Sequence, residues 1–425
     1  MSTLPLDGQE RITAEIIRNS LEVVSGELSA VVENTAMSPI FTMNHDYSCG
    51  VFYSDGADVV LVARSMSIPV HIFAALESVR TVVNRFRDEI CPGDVFLVAD
   101  PYMGGSHCPD WTIIKPVFLR DRPALFPCVR GHINDVGGPV PGGYNVRARD
   151  VWQEGFRISP LRLVQRGQRV TDLWNTVLAN TRTPSEVGGD LAAMVGACGV
   201  GELRLLELAQ RYGEEMLERS IAYILDYSER QLRDLVDSWP DGRYEHTALL
   251  DHDFAGNRDL PIKVTIDVCG SDVIVDFAGT SPQAEGFVNS PVANSVSQVL
   301  TAMTVLAPDV PVNSGFFRSV EVRLPEGSLV NPRAPAPVGH CTLCPGTTVI
   351  DAVTKAFEQV APRLVGSGTN DLNSARCFGV DPRGPRYFVG SDITASPMSA
   401  GGAYGTDGWG AWASPFCALR LPSME

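Results

Sequence analysis

Residues 185–235 are patterned as helix, and few helix breakers stand between Glu202 and Trp239. So long a helical run must lay an apolar face on other elements, and the segments around it decide which. Pro240-Asp241-Gly242 ends the run as a turn, and the pattern then changes. Residues 260–268 and 272–277 alternate apolar and polar positions around Gly270-Ser271, which predicts a hairpin. Upstream, residues 11–36 predict an amphipathic helix: Ile12, Ile16, Val23, Val24, Leu28, Val31 and Val32 recur at mostly three- and four-residue steps. Residues 47–53 and 59–63 read as strands around Ser54-Asp55-Gly56, and a helix is expected over 71–89. Apolar runs follow at 95–99, 111–119 and 124–130, and helical stretches at 294–306 and 348–360. The last 60 residues are Gly-rich with little helix signal. Long helices and strands occur without a regular βα repeat, so the expected class is α+β, multi-domain, with mixed or antiparallel sheets. The turn at 240–242 is the expected boundary between a domain over 1–240 and another over 241–425.

Charge narrows the partners. Lys plus Arg number 34 against 50 Asp plus Glu, a formal net charge of -16. Such a chain repels a phosphate backbone and an anionic membrane surface, so neither nucleic acid nor membrane is expected. No segment approaches the roughly 18–20 apolar residues of a membrane span. The opening MSTLPLDGQERITAE lacks the apolar core of a secretory signal. The ten cysteines show no disulfide-framework spacing and are expected as buried thiols in the cytoplasm.

The chain has no GxxxxGK[ST] loop, no HExxH and no GxSxG. Residues 44–138 instead hold Asp46, His71, His107, Asp110, His132 and Asp135. His107 and Asp110 lie in GGSHCPDW, and His132 and Asp135 in GHINDVGG. Each pair is three apart beside paired glycines at the end of an apolar run, a good place to display ligands. A lone His beside a Gly turn is usually a cap or a packing residue; two such pairs raise the metal reading. Imidazoles with carboxylates form a mixed N/O set suited to Zn, Mn or Fe(II) rather than Mg or Ca. Asp135 is expected to orient an imidazole rather than bind metal itself. His71, in SIPVHIFAAL at the expected start of a helix, is a candidate acid or base or else a packing residue. HCTLC places His340 beside Cys341 and Cys344, half of a zinc site with Cys377 as the candidate fourth ligand. Buried thiols in a turn are the plainer reading. Asp276 to Thr280, Asn289, Asn294 and Asn313 read as turn formers, with substrate contact as the alternative.

At these motifs the sequence resembles the hydantoinase B family, which includes the B subunit of ATP-dependent N-methylhydantoinase, the matching half of 5-oxoprolinase, a caprolactamase subunit, and large subunits of acetone and acetophenone carboxylases. The segments are HDYSCGVF at 45–52, IPVHIFA at 68–74, GDVFLVADPYMGGSHCPD at 93–110 and GHINDVGG at 131–138, extended by WQEGFRISPLRL at 152–163, NTRTPSEVGGDL at 180–191, VDFAGTSPQAEGFVN at 275–289 and PVNSGFFRSVEVRLPEGS at 311–328. The resemblance runs from about residue 8 to the end. It implies a metal centre carried by Asp46, His107, Asp110 and His132, and a partner subunit of hydantoinase A type that binds ATP with Mg. The sequence departs from the family's usual residues at Asn34-Thr35-Ala36, Met43-Asn44-His45, Ala99 and Ser159, and a further Gly-rich C-terminal segment usual in the family is expected to be missing.

The resemblance thus implies one subunit of an ATP-dependent cyclic amide hydrolase in a hetero-oligomer, opening a hydantoin, oxoproline or lactam ring through a phosphorylated intermediate. His71 and Asp135 are the expected catalytic helpers. Carboxylation of a phosphorylated ketone enolate is the alternative chemistry, and a non-catalytic scaffold subunit the alternative role.

Overall fold

The computed structural model describes residues 6–392, apart from 66, 363–364, 366–374 and 385–386. In chain order the elements are α1 (Gly8–Thr35), α2 (Pro39–Thr42), β1 (Tyr47–Ser54), β2 (Val59–Arg64), α3 (Pro69–Phe86), β3 (Val95–Val98), β4 (Asp110–Ile114), β5 (Val117–Leu119) and β6 (Arg122–His132). Then come β7 (Leu161–Gln165), β8 (Gln168–Arg169), α4 (Thr171–Ala179), α5 (Pro184–Tyr212) and α6 (Glu214–Asp237). The second half holds β9 (Gly242–His252), β10 (Arg258–Cys269), β11 (Asp272–Asp276), α7 (Val292–Leu306), β12 (Val320–Arg323), α8 (Gly346–Ala356), β13 (Ala375–Val380) and β14 (Tyr387–Asp392). The class is α+β, as the pattern predicts.

The first sheet runs β2-β1-β6-β4-β3-β7-β8, with β5 also on β6, and every pairing is antiparallel. Its strands β1, β3 and β4 are buried on both faces. In β1, Val51 and Tyr53 face the core shared with α1 and α5, while Phe52 faces the core under α3. β3 alternates likewise, Val95 and Leu97 on one side and Phe96 and Val98 on the other. Strands covered on both faces read as unbroken apolar runs, which is why these are conspicuous in the sequence. The second sheet, β12-β11-β10-β9, is mixed, since β11 and β12 are parallel. β10 buries Ile262, Val264, Ile266 and Val268 in a second apolar core that includes α7 and α8.

The structure refines three of the sequence readings and adds a strand. The buried face of α1 is Ala14, Ile17, Leu21, Val24, Leu28 and Val32, whereas Ile12, Ile16 and Val23 are 57%, 46% and 60% exposed. The helix over 185–235 is two helices, split at Gly213, whose φ of 82° suits glycine and ends α5. The run 111–119 is two strands, broken at Lys115-Pro116, because Pro supplies no N–H to the ladder. Residues 242–252 form an unforeseen strand; among them only Leu250 is buried, so the apolar alternation is faint. Most of the Gly-rich last 60 residues lie outside the described residues, save the hairpin β13–β14.

Candidate metal centre

Strand ends build the site. Asp110 opens β4 and lies directly opposite His132, the last residue of β6. His107 sits in the turn just before β4, where its carbonyl accepts the Asp110 N–H at 3.1 Å. Asp46 immediately precedes β1, and its carbonyl accepts the His132 N–H at 3.0 Å. Neighbouring strands β1, β6 and β4 therefore deliver Asp46, His132 and Asp110 to one end of the sheet. His71 comes from the first turn of α3. Gly104 lets the loop before His107 pass against that helix: its φ is 94°, and a Cβ there would stand 2.7 Å from the Glu77 carbonyl oxygen.

The side chains converge on Asp110. His107 Nε2 is 2.8 Å, His132 Nδ1 3.4 Å and His71 Nε2 3.8 Å from Asp110 Oδ1. His71 Nε2 is also 3.6 Å from Asp46 Oδ1. Ligand atoms of His107, Asp110 and His132 all lie within 4.8 Å of one another, and all three residues are buried. No other group of three or more such side chains meets that spacing among the described residues. On the far side of Asp110, Oδ2 accepts a short hydrogen bond from Ser106 and lies 3.5 Å from Arg130, which is fully buried and also donates to Ser106 Oγ and Thr112 Oγ1 at 2.6 and 3.0 Å. Burial opposes the Asp110 charge, but His107, which also hydrogen-bonds to it, outweighs that and holds the carboxyl well below its usual range. Burial also lowers His71, to about 4, so its ring is uncharged near neutral pH.

The donor set fits a divalent ion. His107 Nδ1 lies 2.9 Å from the Gly339 carbonyl oxygen while its Nε2 faces the Asp110 carboxylate. A neutral imidazole has one N–H and cannot donate to both. With Nδ1–H given to Gly339, the Nε2 lone pair and the carboxylate face each other, and a cation between them, a proton or a metal ion, reconciles them. Two imidazoles and a carboxylate are also a set that Zn, Mn or Fe(II) accepts.

An aromatic wall flanks the imidazoles. Tyr144 stacks on His132 at 5.8 Å and meets His107 and His340 edge-on at 5.9 and 6.0 Å. His340 in turn stacks on Phe287 at 5.1 Å. Burial lowers His340 to about 4, so its ring is uncharged near neutral pH.

Asp135 does not match its expected role. Its carboxylate accepts from Arg182 N and Nη1 at 2.7 and 3.0 Å, from Gly142 N at 3.1 Å, and from Gly137 N and Thr181 Oγ1 at 3.3 Å. It clasps the 137–142 loop to the segment after α4 rather than steering an imidazole. Of the cysteines weighed for zinc, Cys341 is buried with its thiol pushed well up by desolvation, Cys344 is partly buried, and Cys377 is exposed on β13. Asn289 and Asn294 are buried and hydrogen-bonded to loop carbonyls, the architectural reading. The sequence reading missed Arg130 and Tyr144. An arginine inside an apolar strand run, two residues before His132, was a usable signal; Tyr144 lies in Gly-rich loop sequence that carries none.

The profile of the hydantoinase B/oxoprolinase family matches residues 10–425. The chain belongs to that family. Among its relatives, caprolactamase subunit beta of Pseudomonas jessenii is 36% identical over 411 residues, 96% of this chain and 70% of that protein. The crystal structure of the ATP-dependent caprolactamase from the same organism superposes with a TM-score of 0.90 over 98% of this chain and 72% of that one. 5-Oxoprolinase 1 of Arabidopsis thaliana is 28% identical over 88% of this chain, which spans 31% of its length. A nucleotide-free acetone carboxylase shares the family fold at 16% identity, with a TM-score of 0.87 over 98% of this chain and 57% of that one.

Proposed function

We propose that this chain is the metal-carrying subunit of an ATP-dependent cyclic amide hydrolase that opens a lactam, hydantoin or oxoproline ring. The observation that carries the reading is the buried trio His107, Asp110 and His132 in a chain 36% identical to a caprolactamase subunit over 96% of its length. Amides resist attack at their resonance-stabilised carbonyl. A hydantoinase A-type partner in a cytoplasmic hetero-oligomer would bind ATP with Mg and phosphorylate the carbonyl oxygen, creating a leaving group. His107, Asp110 and His132 would hold a divalent Zn, Mn or Fe, with Asp46 beside them. Bound there, the metal would supply Lewis acidity and activate water near neutral pH. Arg130 and Ser106 fix Asp110, and the Gly339 carbonyl fixes His107. His71, within reach of both Asp46 and Asp110, is the group placed to move a proton. Tyr144, His340 and Phe287 give the ring an apolar, uncharged wall.

Metal content by mass spectrometry tests the centre. Wild type is expected to carry about one Zn, Mn or Fe per chain, and His107→Ala and His132→Ala to lose it while staying folded. A metal-free wild type, or metal kept in both variants, sinks the centre and favours the scaffold role. ATP-dependent phosphate release by the reconstituted hetero-oligomer on caprolactam, hydantoin and 5-oxoproline then tests the reaction. The acetone carboxylase fold match supports a second reading, ketone carboxylation at the same site. Turnover of acetone or acetophenone that requires bicarbonate would select it.

A further inference from the structure

Glu154 takes no part in the reaction above, yet it is built into the wall behind His107. It is 1% exposed, and its Oε1 accepts both the Val338 and Gly339 N–H groups at 2.6 Å. Gly339, held by its N–H, presents the carbonyl of its following peptide group to His107 Nδ1 at 2.9 Å. Among the described residues, Glu154 Oε2 is buried without a partner. We infer that Glu154 is a positioning residue for the metal centre: it anchors the 338–339 backbone so that the Gly339 carbonyl holds His107 with its proton on Nδ1 and Nε2 free to face Asp110. Substituting such outer partners of a metal-bound imidazole typically costs about 10–100-fold in metal affinity. The partnerless Oε2 fits a protonated carboxyl, and burial does raise Glu154 to about 8 despite the two N–H groups.

The inference rests on His107 being a ligand, so the test reads His107 both with and without metal. Nitrogen-15 spectra of histidine-labelled, metal-free full-length chain report the tautomer, with the His107 signals assigned by their loss in His107→Gln. Wild type is expected to show the Nδ1–H form. Glu154→Leu keeps the bulk and removes the acceptor; it is expected to mix the His107 tautomers and to weaken Zn retention against a competing chelator 10–100-fold. Glu154→Gln keeps an oxygen for both N–H groups and is expected to restore both readouts. Should Glu154→Leu fail to fold, Gly339→Ala reaches the contact from the other side, since its Cβ would lie 3.1 Å from Glu154 Oε1. An unchanged His107 tautomer and unchanged Zn retention in a folded Glu154→Leu or Gly339→Ala chain overturn the inference. A metal-free wild type instead sinks the ligand reading and leaves the tautomer to decide Glu154 alone.

Discussion

Arg130 has no exposed atom surface to speak of and lies among polar groups, namely Ser106, Thr112, Ser78 and the Asp110 carboxylate. Removing one partner of a buried ion pair leaves the other charge in a medium that solvates it poorly. Arg130→Met is expected to cost about 3–5 kcal/mol in urea unfolding, where an exposed arginine would cost a few tenths. Glu154 makes a prediction of the opposite kind. Its carboxyl is raised on folding, so the native state holds a proton that the unfolded chain releases. That stability is fully present below about pH 4.5 and is lost as pH rises towards 8. Glutamine does not titrate, so the stability of Glu154→Gln relative to wild type should improve from pH 5 to pH 8, by at most about 1.4 kcal/mol per pH unit. A flat difference would mean that Glu154 is ionised in the native state throughout. These residues mark how far the site is legible in sequence. His107, Asp110 and His132 stand out because a turn and a strand pairing bring them together, and both leave local marks. Glu154 carries no such mark, because what it serves lies about 185 positions away.

Helix α1 shows what periodicity does and does not decide. Steps of three and four find a helix over 11–36, and a capping box at Asp7 and Glu10 starts it. They do not choose between two apolar stripes, because Ile12, Ile16 and Val23 make one and Ile17, Leu21, Val24, Leu28 and Val32 make the other. Packing against α5 and β1 chooses the second. Leu21→Ala is therefore expected to cost about 2–5 kcal/mol, and Ile12→Ala to stay within about 0.5 kcal/mol, in the same unfolding assay. Equal losses would return Ile12 to the core. β9 shows the converse: an edge strand with one buried residue offers a two-residue period almost nothing to display.

The two halves of the chain interlock. Ile68, Val70 and Ala148 belong to the apolar core of the second half, while Val338 belongs to that of the first. The pair Glu154–Gly339 and the bond His107–Gly339 cross the same divide. We propose the turn at 240–242 as the boundary between two domains that stay joined after cutting. Limited proteolysis there is expected to give two fragments that co-elute in gel filtration and part only in denaturant; separation under native conditions would refute the interlock. The Gly339 carbonyl has a consequence in time. Chains leave the ribosome at about 5–20 residues per second, so Gly339 emerges about 10–50 s after His107 and His132. Throughout that interval the imidazole that faces Asp110 lacks the partner that fixes its proton. Finishing the centre is thereby deferred until the chain has been made past Gly339 and that segment has docked, and the state of His107 becomes a record of that docking.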